Sequence, residues 1–236
     1  IFAWRAAKAP SYTEAQAAIF VVSISQAVDR DVVVTLDNGK TVYLDFFSSD
    51  TDRNIYQVTH QVTMDKEHKD DVAYKNRYDV TILINGLPVV QVELKRPGVE
   101  INEAINQINR YQRDSFWAGC GLFEYVQLFV ISNGTLTKYY SNTVRDGHLK
   151  EQSAKRSKSK TSNSFSFTSW WADAKNHPIT ELTGFTKTFF AKHSLLNILT
   201  KYCVLTADKT LLVMRPYQIV ATERILQKIE ISTNYK

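Results

Sequence analysis

Three residues near the middle of the chain, Asp79, Glu93 and Lys95, have the types and spacing of a centre for metal-assisted hydrolysis. Carboxylates offer hard oxygen donors, and a pair of them can hold Mg²⁺, which keeps several waters and takes a substrate phosphate as well. Such an ion lowers the pKa of a bound water and offsets charge gathering on phosphorus. A lysine beside the pair can orient that water and balance developing negative charge. The stretch that carries them, "DVTILINGLPVVQVELKRPG" from Asp79 to Gly98, is otherwise strongly apolar. Ionised groups are costly in such surroundings. Either they mark the wet ends of two strands, with Asp79 and Lys95 an ordinary ion pair, or they meet for a purpose.

Convergence depends on the elements. In a strand, alternate residues share a face, so Gln91, Glu93 and Lys95 point one way and Val90, Val92 and Leu94 the other. Asn85-Gly86 is a hairpin turn signal. A plain two-residue turn with an unbroken ladder pairs Asp79 with Val92, on the wrong face. A shared metal site therefore requires an odd-length loop or a bulge, because one residue of register reverses a strand's facing. After Pro97-Gly98, Ile101, Ala104, Ile105 and Ile108 recur at helical spacing. Gln107 and Tyr111, at i and i+4, share another face of that helix, with Glu100 and Glu103 near it. A helix packed on the hairpin brings Gln107 to a metal-bound water or a phosphate; the plainer reading is an exposed polar stripe.

The remaining elements follow from the same rules. "SYTEAQAAIFVVSISQAV" (residues 11–28) suits a helix opened by Ser11 with Glu14 in a capping box, and its β-branched middle suits a strand equally. A hairpin is expected around Asp37-Asn38-Gly39, a strand over 56–64, a strand buried on both faces in "VQLFVISNG" (126–134), and its partner in "TKYYSN". "EQSAKRSKSKTSNS" reads as a polar, basic loop, and residues 178–206 as two amphipathic helices. Strands, a helix, then another buried strand imply an α/β domain with a mixed sheet.

With 44% apolar and 22% charged residues, the 236-residue chain is globular. A net charge of +5 is a mild basic excess that favours a polyanionic partner. Cys120 and Cys203 lie far apart and read as structural thiols of a reducing, cytoplasmic compartment. The longest apolar run, Ala17 to Val22, is far too short to span a bilayer, so no membrane is expected. "NGKT" (38–41) ends like a P-loop, yet Val34 stands where the first glycine is needed and the stretch is a hairpin. The basic run Lys155–Lys160, with Phe165, Phe167, Trp170 and Trp171 after it, reads as a solvated loop.

Asp79, Glu93-x-Lys95 and Gln107-x-x-x-Tyr111 together resemble the PD-(D/E)xK nuclease superfamily in its RecB-like branch. Further blocks, "INQINRYQRDSF", "LFVISNGT", "AKHSLLNIL" and "LLVMRPYQIVATERIL", look like the motor and restriction (R) subunit of type I restriction-modification enzymes, from about Asn54 to Ile229. The resemblance implies a restriction-endonuclease-like mixed β-sheet flanked by helices over residues 1–205. That range takes in the basic loop near 150–169 and a helical segment at 178–205; the start of a superfamily 2 helicase-like motor follows over 206–236. It implies Mg²⁺-dependent cutting of double-stranded DNA after ATP-driven translocation. By match, Asp79 and Glu93 are metal ligands, Lys95 the catalytic lysine, and Gln107 and Tyr111 the auxiliary motif. Gln218 of "RPYQ" reads the adenine of ATP in the full-length chain; by pattern alone it is a surface residue on an amphipathic helix. Methylation and specificity subunits are the implied protein partners.

Two departures stand out. The superfamily often has an upstream acidic residue, for which Glu14 is the only early helix-borne candidate, and the P-loop is missing. The chain opens at Ile1 without Met, so a fragment is expected, with the P-loop beyond Lys236. Two rival readings are a free-standing RecB-like repair exonuclease and a degenerate nuclease fold serving as a DNA-binding or docking module.

Overall fold

The computed structural model describes residues 32–35, 38–44, 46–65, 75–111, 122–142, 167–207 and 210–234. The expected element over 11–28, Glu14, Cys120 and the Lys155–Lys160 run lie outside these. Two units divide the chain, Ile1–Asp45 and Phe46–Lys236. In the first, β1 (Val32–Thr35) and β2 (Thr41–Leu44) pair antiparallel as the expected hairpin, with Gly39 at φ 78° in the turn.

The second unit is built on a five-stranded sheet in the order β3-β4-β5-β6-β7. β3 (Tyr56–Asp65), β4 (Lys75–Ile84) and β5 (Leu87–Leu94) form an antiparallel meander. β6 (Leu128–Ser132) runs parallel to β5, and β7 (Thr137–Ser141) antiparallel to β6. A parallel neighbour needs a crossover, and α1 (Asn102–Tyr111) lies between the two strands in sequence. Every residue of β6 is buried, as its nearly continuous apolar run implies.

Each face of the sheet has its own core. Val90, Val92, Leu128, Val130 and Tyr139 pack against α2 (Leu182–Phe189) and α3 (Lys192–Thr200) through Phe185, Phe189, Leu195, Ile198 and Leu199. On the opposite face, Phe129, Ile131 and Tyr140 meet the Ile101, Ala104, Ile105 and Ile108 stripe of α1. Helices thus flank a mixed sheet, which fits the expected restriction-endonuclease-like α/β class.

The end of the unit is tied to the same sheet. β8 (Cys203–Leu205) and β9 (Leu211–Val213) form a hairpin; Tyr139 Oη donates to Met214 O at 3.3 Å and Ser141 Oγ donates to Leu211 O. A motor starting at 206 would therefore begin between these paired strands. Burial pushes the Cys203 thiol up to about 12, which suits an inert structural thiol. The last helix, α4 (Pro216–Asn234), leaves Ile225, Leu226, Ile229 and Ile231 largely exposed. Among the described residues, no helix is long and apolar enough to cross a membrane.

Candidate nuclease centre

The hairpin meets the register requirement with a bulge. Its turn is a plain two-residue one, Ile84 opposite Leu87, with Asn85 at φ 52° and Gly86 at φ 83°, as a hairpin turn of mirror-image type demands. Leu83 pairs with Pro88, but Ile82 pairs with Val90, so Val89 is the extra residue. Proline cannot donate to a ladder and is tolerated at such a bulge. Beyond it Val80 lies opposite Val92, so the next step brings Asp79 level with Glu93.

There the two strands part. The β4–β5 ladder ends at Val80–Val92, while β5 continues against β6 with Glu93 opposite Ile131 and Leu94 opposite Ser132. The Leu94 N–H turns instead to the Asp79 side chain, donating to Oδ2 at 2.9 Å. The Lys95 N–H is taken by Ser132 O at 2.8 Å. The half-buried Asp79 carboxylate thus sits in the fork, where the backbone of β4 has moved away.

Glu93 has no exposed surface. Its Oε1 lies 3.2 Å from Lys95 Nζ, and its Oε2 is buried with no hydrogen-bond partner among the described residues. Burial pushes its carboxyl up to about 8, the Asp79 charge adds to the rise, and Lys95 opposes it. Lys95 Nζ also donates to Gln107 Oε1 on α1. Gln107 therefore meets the lysine ammonium through its amide oxygen. Tyr111 is the last residue of α1, one turn beyond Gln107. Below the carboxylates the same face stays polar: Thr81 Oγ1 donates to Gln91 Oε1 at 2.7 Å, both buried.

These residues fit a hard divalent cation. A buried carboxylate oxygen without a donor, beside a second carboxylate, is a donor set that a cation satisfies and a proton satisfies less well. Among the described residues no cluster of three or more His, Cys, Asp or Glu could hold a metal. Two carboxylates suit Mg²⁺, which retains waters, better than a cage-forming ion.

Gln218 lies well outside this constellation. It is exposed in the first turn of α4, where its Oε1 accepts the Arg215 N–H at 2.8 Å, the return half of a helix capping pair. One contact had no signal in the sequence: the Leu94 amide, which any residue supplies.

Comparison with known proteins points in one direction. The family described as type I restriction enzyme R protein N terminus matches residues 12–148. The chain is 53% identical over 173 residues to the type I restriction enzyme EcoprrI endonuclease subunit of Escherichia coli, covering 73% of this chain and 51% of that one. It is 40% identical over 194 residues to the SauMSSORF170P endonuclease subunit of Staphylococcus aureus strain MSSA476, covering 81% and 18%. The putative MjaVIIIP endonuclease subunit of Methanocaldococcus jannaschii is 30% identical over 114 residues, covering 44% and 10%. The chain therefore spans about half the length of the E. coli relative and less than a fifth of the S. aureus one.

Proposed function

The chain belongs to the family of type I restriction enzyme R protein N termini, and from that premise we propose that it is the Mg²⁺-dependent nuclease part of such an enzyme, hydrolysing double-stranded DNA. One observation carries the reading: the fork between β4 and β5 brings the Asp79 carboxylate beside the buried Glu93 carboxylate, with Lys95 against both Glu93 and Gln107. Asp79 and Glu93 would hold the ion, which when bound lowers the pKa of a water and neutralises charge on the scissile phosphate.

The protein's own groups supply the rest. Glu93, fully buried on the middle strand of the sheet, is held beside Asp79. Lys95, tethered by Glu93 Oε1 and Gln107 Oε1, is oriented to hold the attacking water and to offset negative charge on phosphorus. Gln107 fixes that ammonium from the helix side, and Tyr111 completes the auxiliary motif one turn on. Water adds to phosphorus and sheds its proton to solvent, the bond to the leaving sugar oxygen breaks, that oxygen takes a proton from solvent, and no covalent enzyme intermediate forms.

The wider enzyme is part of the same proposal. Residues from 206 would open an ATP-driven helicase-like motor, with Gln218 at the adenine of ATP in the longer chain. Translocation would precede cutting, and methylation and specificity subunits would choose the DNA target, in the cytoplasm. The relatives' names, endonuclease subunits of type I restriction enzymes, support the restriction-enzyme part of this setting. The test is calorimetric titration of Mn²⁺ or Mg²⁺ into the wild type, Asp79→Ala and Glu93→Ala, with circular dichroism as the fold control. Binding lost in both variants with the fold intact is expected. Equal binding in all three proteins would reduce the carboxylates to strand-end charges and sink the reading.

A further inference from the structure

Gln61 has φ 52°, in the left-handed region, yet it lies in the middle of β3 with no turn around it. The two other non-glycine residues with positive φ among the described residues are asparagines outside strands, Asn85 and Asn176, a type that tolerates this conformation. A bulkier residue held so inside a strand signals a local demand. The pairs His60–Val80 and Val62–Tyr78 place Gln61 level with Asp79.

The facing of both strands reverses at this level. Alternate residues should share a face, yet Tyr56, Val80 and Ile82 pack with the core beneath α2 and α3, while Val62 and Tyr78 pack with the core beneath α1. The β3–β4 ribbon turns over between His60–Val80 and Val62–Tyr78. A regular strand projects side chains roughly perpendicular to its sheet, away from a neighbour's N–H groups. Asp79 sits where the ribbon turns, and its carboxylate reaches sideways to the Leu94 N–H.

We propose that Gln61 is a positioning residue, whose left-handed backbone turns the ribbon at Asp79 and so holds that carboxylate in the fork beside Glu93. The purpose of this placement rests on the metal-centre reading; the placement itself does not. The conformation, not the amide side chain, is the active feature. Glycine adopts it freely, whereas β-branched residues resist it.

The experiment compares Gln61→Gly, Gln61→Ala and Gln61→Val with Asp79→Ala, by amide hydrogen exchange at Leu94 and by Mn²⁺ calorimetry. In Gln61→Gly, Leu94 protection and Mn²⁺ affinity are expected to stay close to wild type. In Gln61→Val both should fall by about tenfold or more, a step of the order of 1.4 kcal/mol, toward the Asp79→Ala level. Gln61→Ala should lie between, and it carries the test if the valine variant does not fold. Amides of β6 remain protected as the control. Wild-type protection and affinity in both the valine and alanine variants would overturn the proposal, as would loss of both in Gln61→Gly. If Leu94 protection follows the predicted order while no protein binds Mn²⁺, the positioning role stands and the metal reading falls.

Discussion

Nζ of Lys95 lies 3.2 Å from Oε1 of Glu93, a contact in which the carboxyl group has no exposed surface and the lysine side chain is only 18% exposed. Lys95→Met keeps both carboxylates and removes only the cation, so Mn²⁺ binding is expected to stay in place while DNA cleavage by the full-length enzyme falls by roughly 10²–10³-fold, the usual cost of losing one preorganised charge stabiliser. Cleavage rates at saturating metal check this; an undiminished rate would remove Lys95 from the mechanism.

Glu93 also makes the stability of the metal-free protein depend on pH. Its folded pKa of about 8 is above the ordinary 4.5, so the folded state holds a proton that the unfolded chain releases. The stabilisation is full below pH 4.5 and is lost as pH rises toward 8, by at most about 5 kcal/mol. Urea unfolding in chelator from pH 5 to 8.5 should show the decline, and Glu93→Gln should flatten it. Mn²⁺ must displace that proton, so its affinity should rise across the same window.

The buried Thr81–Gln91 hydrogen bond predicts a strongly non-additive pair. Gln91→Leu alone leaves a buried hydroxyl unpaired and should cost about 1–3 kcal/mol, as should Thr81→Val alone, while the double variant should cost less than the sum. A double-mutant cycle in urea decides it, and simple additivity would contradict the pairing.

Asn85 separates fold from site. Its amide donates to Phe46 O at 2.7 Å and Asn54 Oδ1 at 3.0 Å, and its carbonyl accepts from Ile55 N at 2.8 Å. Asn85→Ala loses these and the residue type suited to φ 52°, so a loss of about 1–3 kcal/mol is expected. The turn lies roughly 20 Å along the strand from Asp79, so Mn²⁺ affinity should not change.

Much of this arrangement is written in patterns that local chemistry reads. The Asn85-Gly86 turn, the nearly all-apolar β6 and the Ile101/Ala104/Ile105/Ile108 stripe each announce their element, and bringing residues 79 and 93 level demands a slip somewhere between them. The place of the slip is hidden: Val89 and Val90 are identical, and the extra residue is Val89, whose carbonyl accepts the Gln127 N–H at 2.9 Å, thirty-eight positions away in sequence. The helix face that carries Gln107 was legible but its partner, Lys95, was not, because an amide suits a phosphate, a water or an ammonium equally. The turning of the ribbon at Gln61 had no signal at all, since glutamine is not a residue type that marks a left-handed backbone.

The parallel pairing of β5 with β6 sets the order in which this chemistry becomes available during synthesis. Asp79, Glu93, Lys95 and Gln107 leave the ribosome together, but the fork that holds them is closed by a strand that emerges later, with Ser132 O anchoring the Lys95 amide. Contacts of this range form only once the intervening chain is made. A nascent chain halted at Gln127 should accordingly bind no Mn²⁺ in a direct titration. Until β6 is made, the growing polypeptide thus carries these four residues unassembled.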